Sequence, residues 1–213
     1  RDFRVGDAYE TGLPNAVSGF LGRLDGGGVT ISEATMMGIG QGPVSWTPLH
    51  AADCFATLAR RGAQIGPRVV ADLKTPRRDL GLNRAAVDAA LRGLERVVTD
   101  SMGTAHHLTI NERRERLFNV EGVRVLAKTG TAQASPTFRD PAGALADDPE
   151  NPNVLRRGPH SWTVALAGPD GGGLRYAIGV VVEHAGSGAR GAGPIVNQVI
   201  KALVEEGYLP AGD

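Results

Sequence analysis

The chain has 213 residues, 41% hydrophobic and 22% charged, the balance of a folded chain with a sizeable core. Lys plus Arg equals Asp plus Glu at 23 each, which excludes the strongly basic profile of a nucleic-acid or anionic-membrane binder. A single cysteine, Cys54, rules out an internal disulfide, and the five histidines show no H-E-x-x-H or C-x-x-C spacing, so no metal site and no cofactor are expected.

Glycine is abundant, at 30 residues, but it gathers in turns such as Gly26–Gly28 and Gly171–Gly173, so collagen-like and low-complexity readings fail. No apolar run approaches the roughly 18 residues that cross a bilayer, and there is no signal-peptide pattern. The chain opens on Arg1-Asp2. That opening leads us to expect a piece of something longer, whose membrane anchor, if it has one, lies outside this chain.

Residues 1–46 read as a loop-rich opening part. Thr11–Gly22 carries Pro14 and three glycines and reads as a surface connection. Gly38-Ile39-Gly40-Gln41-Gly42 resembles a dinucleotide fingerprint only loosely, since Pro43 stands where the third glycine belongs and no strand precedes it. It is read as a tight turn feeding a helix. Thr47 is the N-cap of that helix and Pro48 its first residue. Leu49, Ala52, Phe55, Ala56 and Ala59 form its apolar stripe, Cys54 sits within it as a small buried hydrophobe, and Gly62 is the stop. Residues 66–72 read as a short strand or extended link. A second helix is predicted over Arg84–Thr99, capped by Asn83, with Val87, Leu91, Leu94 and Val98 at helical spacing; Met102-Gly103-Thr104 ends this helical part, 47–104. His106-His107 reads as a solvated loop pair.

Val123–Gln133 (V-R-V-L-A-K-T-G-T-A-Q) is the stretch with chemistry in it. Its β-branched alternation predicts a strand. Lys128 supplies a fixed charge with three donors, Thr129 a hydroxyl, and Gly130 room for another backbone to approach. Thr131 supplies an N–H able to face a developing oxyanion. A Lys-Thr-Gly tripeptide alone is weak, because a lysine ending a strand is ordinarily just solvated. Parity adds a condition: Lys128 and Thr129 point to opposite faces, so both serve one cleft only from an edge strand or a locally twisted one.

Ala134–His160 is polar and broken by five prolines, with an acidic run at Asp147-Asp148-Pro149-Glu150. It reads as a mobile flap, with plain disorder as the alternative. Two strands follow. Ser161–Ala167 carries Trp162, Val164 and Leu166 on one face. Leu174–Glu183 carries Leu174, Tyr176, Ile178, Val180 and Val182 on one face. Pro169–Gly173 joins them as a hairpin. A helix over Pro194–Glu206 closes the chain, with Gly207 as its stop. The expected fold is α+β, an antiparallel sheet of three strands flanked by helices, within one partial domain whose last part is 120–213.

The ordered set G-I-G-Q-G…T-P-L…F-A-T-L-A, M-G-T-A, A-K-T-G-T-A-Q, H-S-W-T-V-A-L-A-G and V-V-V-E-H-A-G resembles a penicillin-binding protein transpeptidase domain, most like the monofunctional elongation-type branch, class B. The resemblance runs from Thr11 to the last helix. It implies the transpeptidase fold shared with serine β-lactamases, and acyl transfer: a serine in S-x-x-K attacks a D-alanyl-D-alanine carbonyl of a peptidoglycan stem peptide, and an amine from a neighbouring stem takes the acyl group. β-Lactams stall at the acyl stage. By the same resemblance Lys128 holds the network around the nucleophile. Thr129 and Thr131 bind the substrate carboxylate, Gly130 lets the substrate lie along the strand, and the Thr131 N–H is one arm of the oxyanion hole. A cell-wall glycosyltransferase partner and the outer, periplasmic face of the cytoplasmic membrane are implied too.

The chain departs from that pattern. Its serines are Ser18, Ser32, Ser45, Ser101, Ser135, Ser161 and Ser187; none has lysine three residues on or asparagine two residues on. The S-x-x-K and S-x-N elements are absent, so the nucleophile is expected upstream of this chain. The alternatives are a non-catalytic penicillin-recognising or scaffold module, or a related D,D-carboxypeptidase or serine β-lactamase.

Overall fold

The computed structural model describes residues 3–14, 16–22, 28–138 and 154–210. In chain order the elements are β1 (Phe20–Leu21), α1 (Ile31–Met37), β2 (Val44–Ser45), α2 (Pro48–Ala59), β3 (Ala63–Ile65), β4 (Arg77–Asp79), α3 (Arg84–Thr99), β5 (His107–Ile110), β6 (Arg113–Arg116), β7 (Val123–Ala132), β8 (Thr137–Phe138), β9 (Val154–Arg156), β10 (His160–Pro169), β11 (Tyr176–Val182) and α4 (Ala192–Glu205).

The scaffold is the expected antiparallel sheet, in the order β11-β10-β7. Its register pairs Val164 with Lys128 and Ala165 with both Ala127 and Ile178. Strand alternation then sorts the residues. Val125, Ala127, Ala165 and Ala167 join Val196 and Ile200 of α4 in one core, with Tyr176, Ile178 and Val180 packed against it. Leu126, Val164 and Leu166 are buried on the opposite face. There the first turn of α2 comes so close to β11 that a Cβ at Gly179 would stand 2.5 Å from the Pro48 carbonyl oxygen. The predicted faces Trp162/Val164/Leu166 and Tyr176/Ile178/Val180 therefore lie on opposite sides of the sheet, and helices cover both.

The start of α4 is fixed by β10. Gly191, its N-cap, has no side chain with which to cap the helix. The Ser161 hydroxyl substitutes: it accepts from the Ala192 N–H at 2.8 Å and donates to the Ser187 carbonyl at 2.9 Å. Any Cβ at Gly191 would meet that hydroxyl at 2.5 Å.

Both predicted capped helices form with the predicted caps: Thr47 for α2, and Asn83, whose side chain accepts from Ala86 N–H at 3.0 Å, for α3. The expected stripe of α2 is corrected. Its buried residues are His50, Ala51, Asp53 and Thr57, whereas Leu49 is 41% exposed. Residues of the opening segment lie on the polar side of the helix and supply the partners. His50 Nε2–H donates to the Asp7 carbonyl at 2.7 Å, which leaves Nδ1 to accept from Thr47, and the Tyr9 hydroxyl donates to Asp53 at 2.8 Å. Buried polar groups are ordinarily bonded in this way; the buried Thr57 hydroxyl is the exception, with no hydrogen-bond partner among the described residues. Burial, with the Asp53 carboxylate next to it, pushes the half-buried Cys54 thiol up to about 12, so it stays an inert thiol at neutral pH.

Three further readings change. The loop-rich opening contains a helix, α1, closed by a capping box between Thr30 and Glu33. Residues 66–72 form neither a strand nor a fully extended link: after 66–68 the chain bends and turns over 69–72, where Leu73 N–H donates to Val70 O at 3.2 Å. His106 and His107 are half-buried, bonded to one another at 3.2 Å, and His107 begins the β5–β6 hairpin. Of the predicted flap, the described residues form its base, β8 paired with β9. The acidic run 147–150 lies outside the described residues, as do residues 26 and 27 of the first glycine cluster.

Candidate active site

β7 has β10 on one side and, among the described residues, no strand on the other, so the edge condition set by parity is met. In an extended strand a residue turns its N–H and C=O to the same side. The carbonyls of Thr129 and Thr131 are taken from the side away from β10: Lys128 Nζ donates to Thr129 O at 2.6 Å, and Gln41 Nε2 donates to Thr131 O at 2.6 Å. Hence Thr129 and Thr131 both present their backbone groups at the free edge. The Lys128 side chain starts on the α2 face of the sheet and curls to that edge. The Thr129 side chain starts on the other face, where its hydroxyl meets the Thr104 hydroxyl at 2.7 Å. Ammonium, hydroxyl and outward N–H thus converge on one strip of β7.

Lys128 and Thr131 are exposed, while Thr129 and Gly130 are half-buried. Gly130 does accept the close approach of another backbone, though from within the chain. A Cβ at Gly188 would stand 2.6 and 2.7 Å from Gly130 O and N, because the 184–191 loop lies directly on the strand. Thr163 Oγ1 holds that loop through Gly188 O at 3.0 Å. Where the strand ends, His184 fastens the base of the following segment. Its Nδ1–H donates to Gly158 O at 2.9 Å, its Nε2 meets Thr137 Oγ1 at 2.7 Å, and its backbone N–H donates to His160 Nδ1 at 3.1 Å.

A cavity of about 570 Å³ lies at the other end of β7. Val98, Phe118 and Val123 line it, and the Arg124–Glu95 ion pair (2.7 Å) stands among its lining residues. Val125, the lining residue of β7 closest to Lys128, is three residues from it, roughly 10 Å along the strand, and on the opposite face of the sheet, so this cavity is separate from the lysine. A second cavity, by Gly6 and Phe20, is separate as well. On the described residues Lys128 therefore stands on an open strip and not beside either hollow. Among the described residues, no three His, Cys, Asp or Glu side chains converge as a metal ion requires, and no helix is long and apolar enough to cross a membrane.

Two residues of this strip escaped prediction as site residues: Gln41, in the G-I-G-Q-G turn, and Thr104, in M-G-T-A. Both stood in motifs that carried the resemblance. Their contacts with β7 span 90 and 25 residues of sequence, which periodicity cannot register.

Residues 1–205 match the family described as penicillin binding protein transpeptidase domain. Among curated relatives, the peptidoglycan D,D-transpeptidase PbpA of Mycolicibacterium smegmatis is 30% identical over 185 residues, 81% of this chain and 32% of that protein. The penicillin-binding protein PbpB of the same organism is 26% identical over 99% of this chain and 31% of its own length. The chain thus spans about a third of the curated relatives it matches. Penicillin-binding protein PBP2 of Helicobacter pylori shares its fold with a TM-score of 0.69 at 24% identity, over 98% of this chain and 35% of that one. Pseudomonas aeruginosa PBP2 does so at the same TM-score and identity, over 95% and 42%.

Proposed function

Because the chain belongs to the penicillin-binding protein transpeptidase domain family, we propose that the full-length protein carrying it is a peptidoglycan D,D-transpeptidase of the class B, elongation type, and that this chain contributes one wall of its active site. The observation that carries the reading is the free edge of β7, where Lys128, Thr129 and the outward Thr131 N–H meet.

Each group has a task there. The serine nucleophile comes from outside these residues. Its hydroxyl attacks the penultimate D-alanine carbonyl, the Thr131 N–H stabilises the oxyanion, and collapse releases D-alanine and leaves an ester. An amine of a second stem peptide then takes the acyl group. Lys128 is a fixed cation at the edge that favours the charged transition state. The Thr129 and Thr131 hydroxyls receive the terminal carboxylate, and the Thr104 hydroxyl orients that of Thr129. Gly130 keeps the strand surface low enough for an extended peptide to lie on it. β-Lactams bind in the same place, and the ester they form is the stalled intermediate. The work is done at the outer, periplasmic face of the membrane, through an anchor beyond these residues, beside a glycosyltransferase that supplies the glycan strands and so serves cell shape.

The test is covalent labelling of the full-length protein with a fluorescent penicillin. Wild type is expected to label, and Lys128→Ala to label roughly 10²–10³-fold more slowly, the range seen when one preorganised electrostatic contact is removed from an acyl-transfer site. An unlabelled wild type would favour the non-catalytic scaffold reading, and equal rates would remove Lys128 from the site.

A further inference from the structure

We propose that Gln41 is a positioning residue for acylation: its carboxamide holds the Thr131 peptide so that the Thr131 N–H stays aimed at the reacting carbonyl. This rests on the reading of β7 given above.

The geometry is a two-point clasp. Gln41 Nε2–H donates to Thr131 O at 2.6 Å, and Gln41 Oε1 accepts from Gln133 N–H at 3.4 Å. A carbonyl only accepts and an N–H only donates, so the two contacts together fix which end of the amide is which. A residue in a neighbouring parallel strand bonds in the same way, to one residue's C=O and to the N–H two positions on. The side chain therefore replaces one residue of a missing strand. It does so where support from β10 runs out: the last pair of that ladder is His160 with Ala132, and β7 ends there. Without Gln41 the final peptide of β7 is held from one side only.

The clasp uses the C=O of Thr131 and leaves its N–H at the edge. Those two groups flank one Cα, and while the pairing of Thr131 with Ser161 keeps φ and ψ extended, a bond to the C=O restrains the direction of the N–H. Preorganised donors stabilise an oxyanion because no reorganisation is needed during reaction. Gln41 can be held in place because the G-I-G-Q-G turn is itself pinned: Gln41 N–H donates to Met36 O at 3.0 Å, and Gly40 and Gly42 on either side have φ of +78° and +82°, which only glycine adopts readily.

The experiment is saturation kinetics of fluorescent-penicillin acylation in the full-length protein, comparing wild type, Gln41→Ala and Gln41→Glu across pH. Gln41→Ala is expected to lower the limiting acylation rate roughly 10- to 100-fold while changing half-saturation less than about threefold, since the clasp acts on the transition state. Gln41→Glu, ionised at neutral pH, sets a carboxylate against Thr131 O and is expected to be at least as slow. Its rate relative to wild type at the same pH recovers as acid protonates the carboxyl, ordinarily near 4.3. The acid form again offers an O–H to Thr131 O and a C=O to Gln133 N–H. A merely destabilised variant shows no such recovery. An unchanged limiting rate in Gln41→Ala, or a Glu-to-wild-type ratio flat with pH, overturns the proposal while leaving the transpeptidase reading intact. An unlabelled wild type overturns both.

Discussion

Gly188→Ala tests how the candidate site is held together. The new methyl would stand 2.2 Å from Trp162 O, 2.6 Å from Gly130 O and 2.7 Å from Gly130 N. All three are backbone atoms of two strands paired along ten positions, so no side chain can swing aside to make room. Either the strands part or the 184–191 loop lifts. Lifting the loop is the cheaper course, and it breaks the bonds from Thr163 Oγ1 to Gly188 O and from Ser161 Oγ to Ser187 O, both made by buried hydroxyls. Overpacking costs about 1–3 kcal/mol, and a buried hydroxyl left unbonded costs about 1–3 kcal/mol more. Because the two share one displacement they do not add fully, and about 2–4 kcal/mol is expected. Hydrogen exchange of the β7 and β10 amides in the full-length protein reads this as roughly 30- to 900-fold faster opening. Gly173→Ala is the control: its Cβ meets nothing within 4 Å, and it should change opening by under about 0.5 kcal/mol. Equal exchange in the two variants would refute the claim that the loop is seated on Gly130.

The polar core of α2 makes Tyr9→Phe costly: Asp53 loses a buried bond of 2.8 Å, and the exchange of α2 amides should report about 1–3 kcal/mol. The Glu95–Arg124 pair is half-exposed, so Glu95→Gln should cost under about 1 kcal/mol at pH 7. The Arg124 hydrogen bond holds the Glu95 carboxyl below the ordinary carboxylate value. That contribution is therefore complete above the unfolded-state value near 4.3 and is lost as pH falls through the folded one. Wild type and Glu95→Gln should converge in stability at strongly acid pH, and a gap that persists there would contradict the pairing. The 213 residues expressed alone leave Ile31, Ile39 and Met102 at 88%, 72% and 89% exposure. They should bind a hydrophobic dye and unfold without a sharp transition, and a steep cooperative melt would contradict this.

Much of the architecture was legible because its signals are local. Asn83 and Thr47 cap their helices through bonds within four residues, and the alternation in Val123–Gln133 and Ser161–Ala167 fixes two strands by pattern alone. The stripe of α2 misled because the helix packs on two neighbours, the sheet and the polar segment around Asp7 and Tyr9, and the second of these binds the buried His50 and Asp53. The β5–β6 hairpin gave no turn signal: Asn111 and Glu112 both sit at positive φ, +48° and +64°, and the familiar glycine after asparagine is replaced by glutamate. At the site, Lys128, Thr129 and Gly130 could be read off one strand. Gln41, Thr104 and Gly188 could not, since each reaches β7 through the fold rather than along the chain.

Acyl transfer at the β7 edge can be seen in a crystal structure of the full-length protein after reaction with penicillin. The expected adduct is an ester whose carbonyl oxygen lies about 3 Å from Thr131 N, with the antibiotic carboxylate on the Thr129 and Thr131 hydroxyls and Lys128 alongside. An adduct whose carbonyl points away from β7, with Thr131 N–H facing solvent, would contradict it.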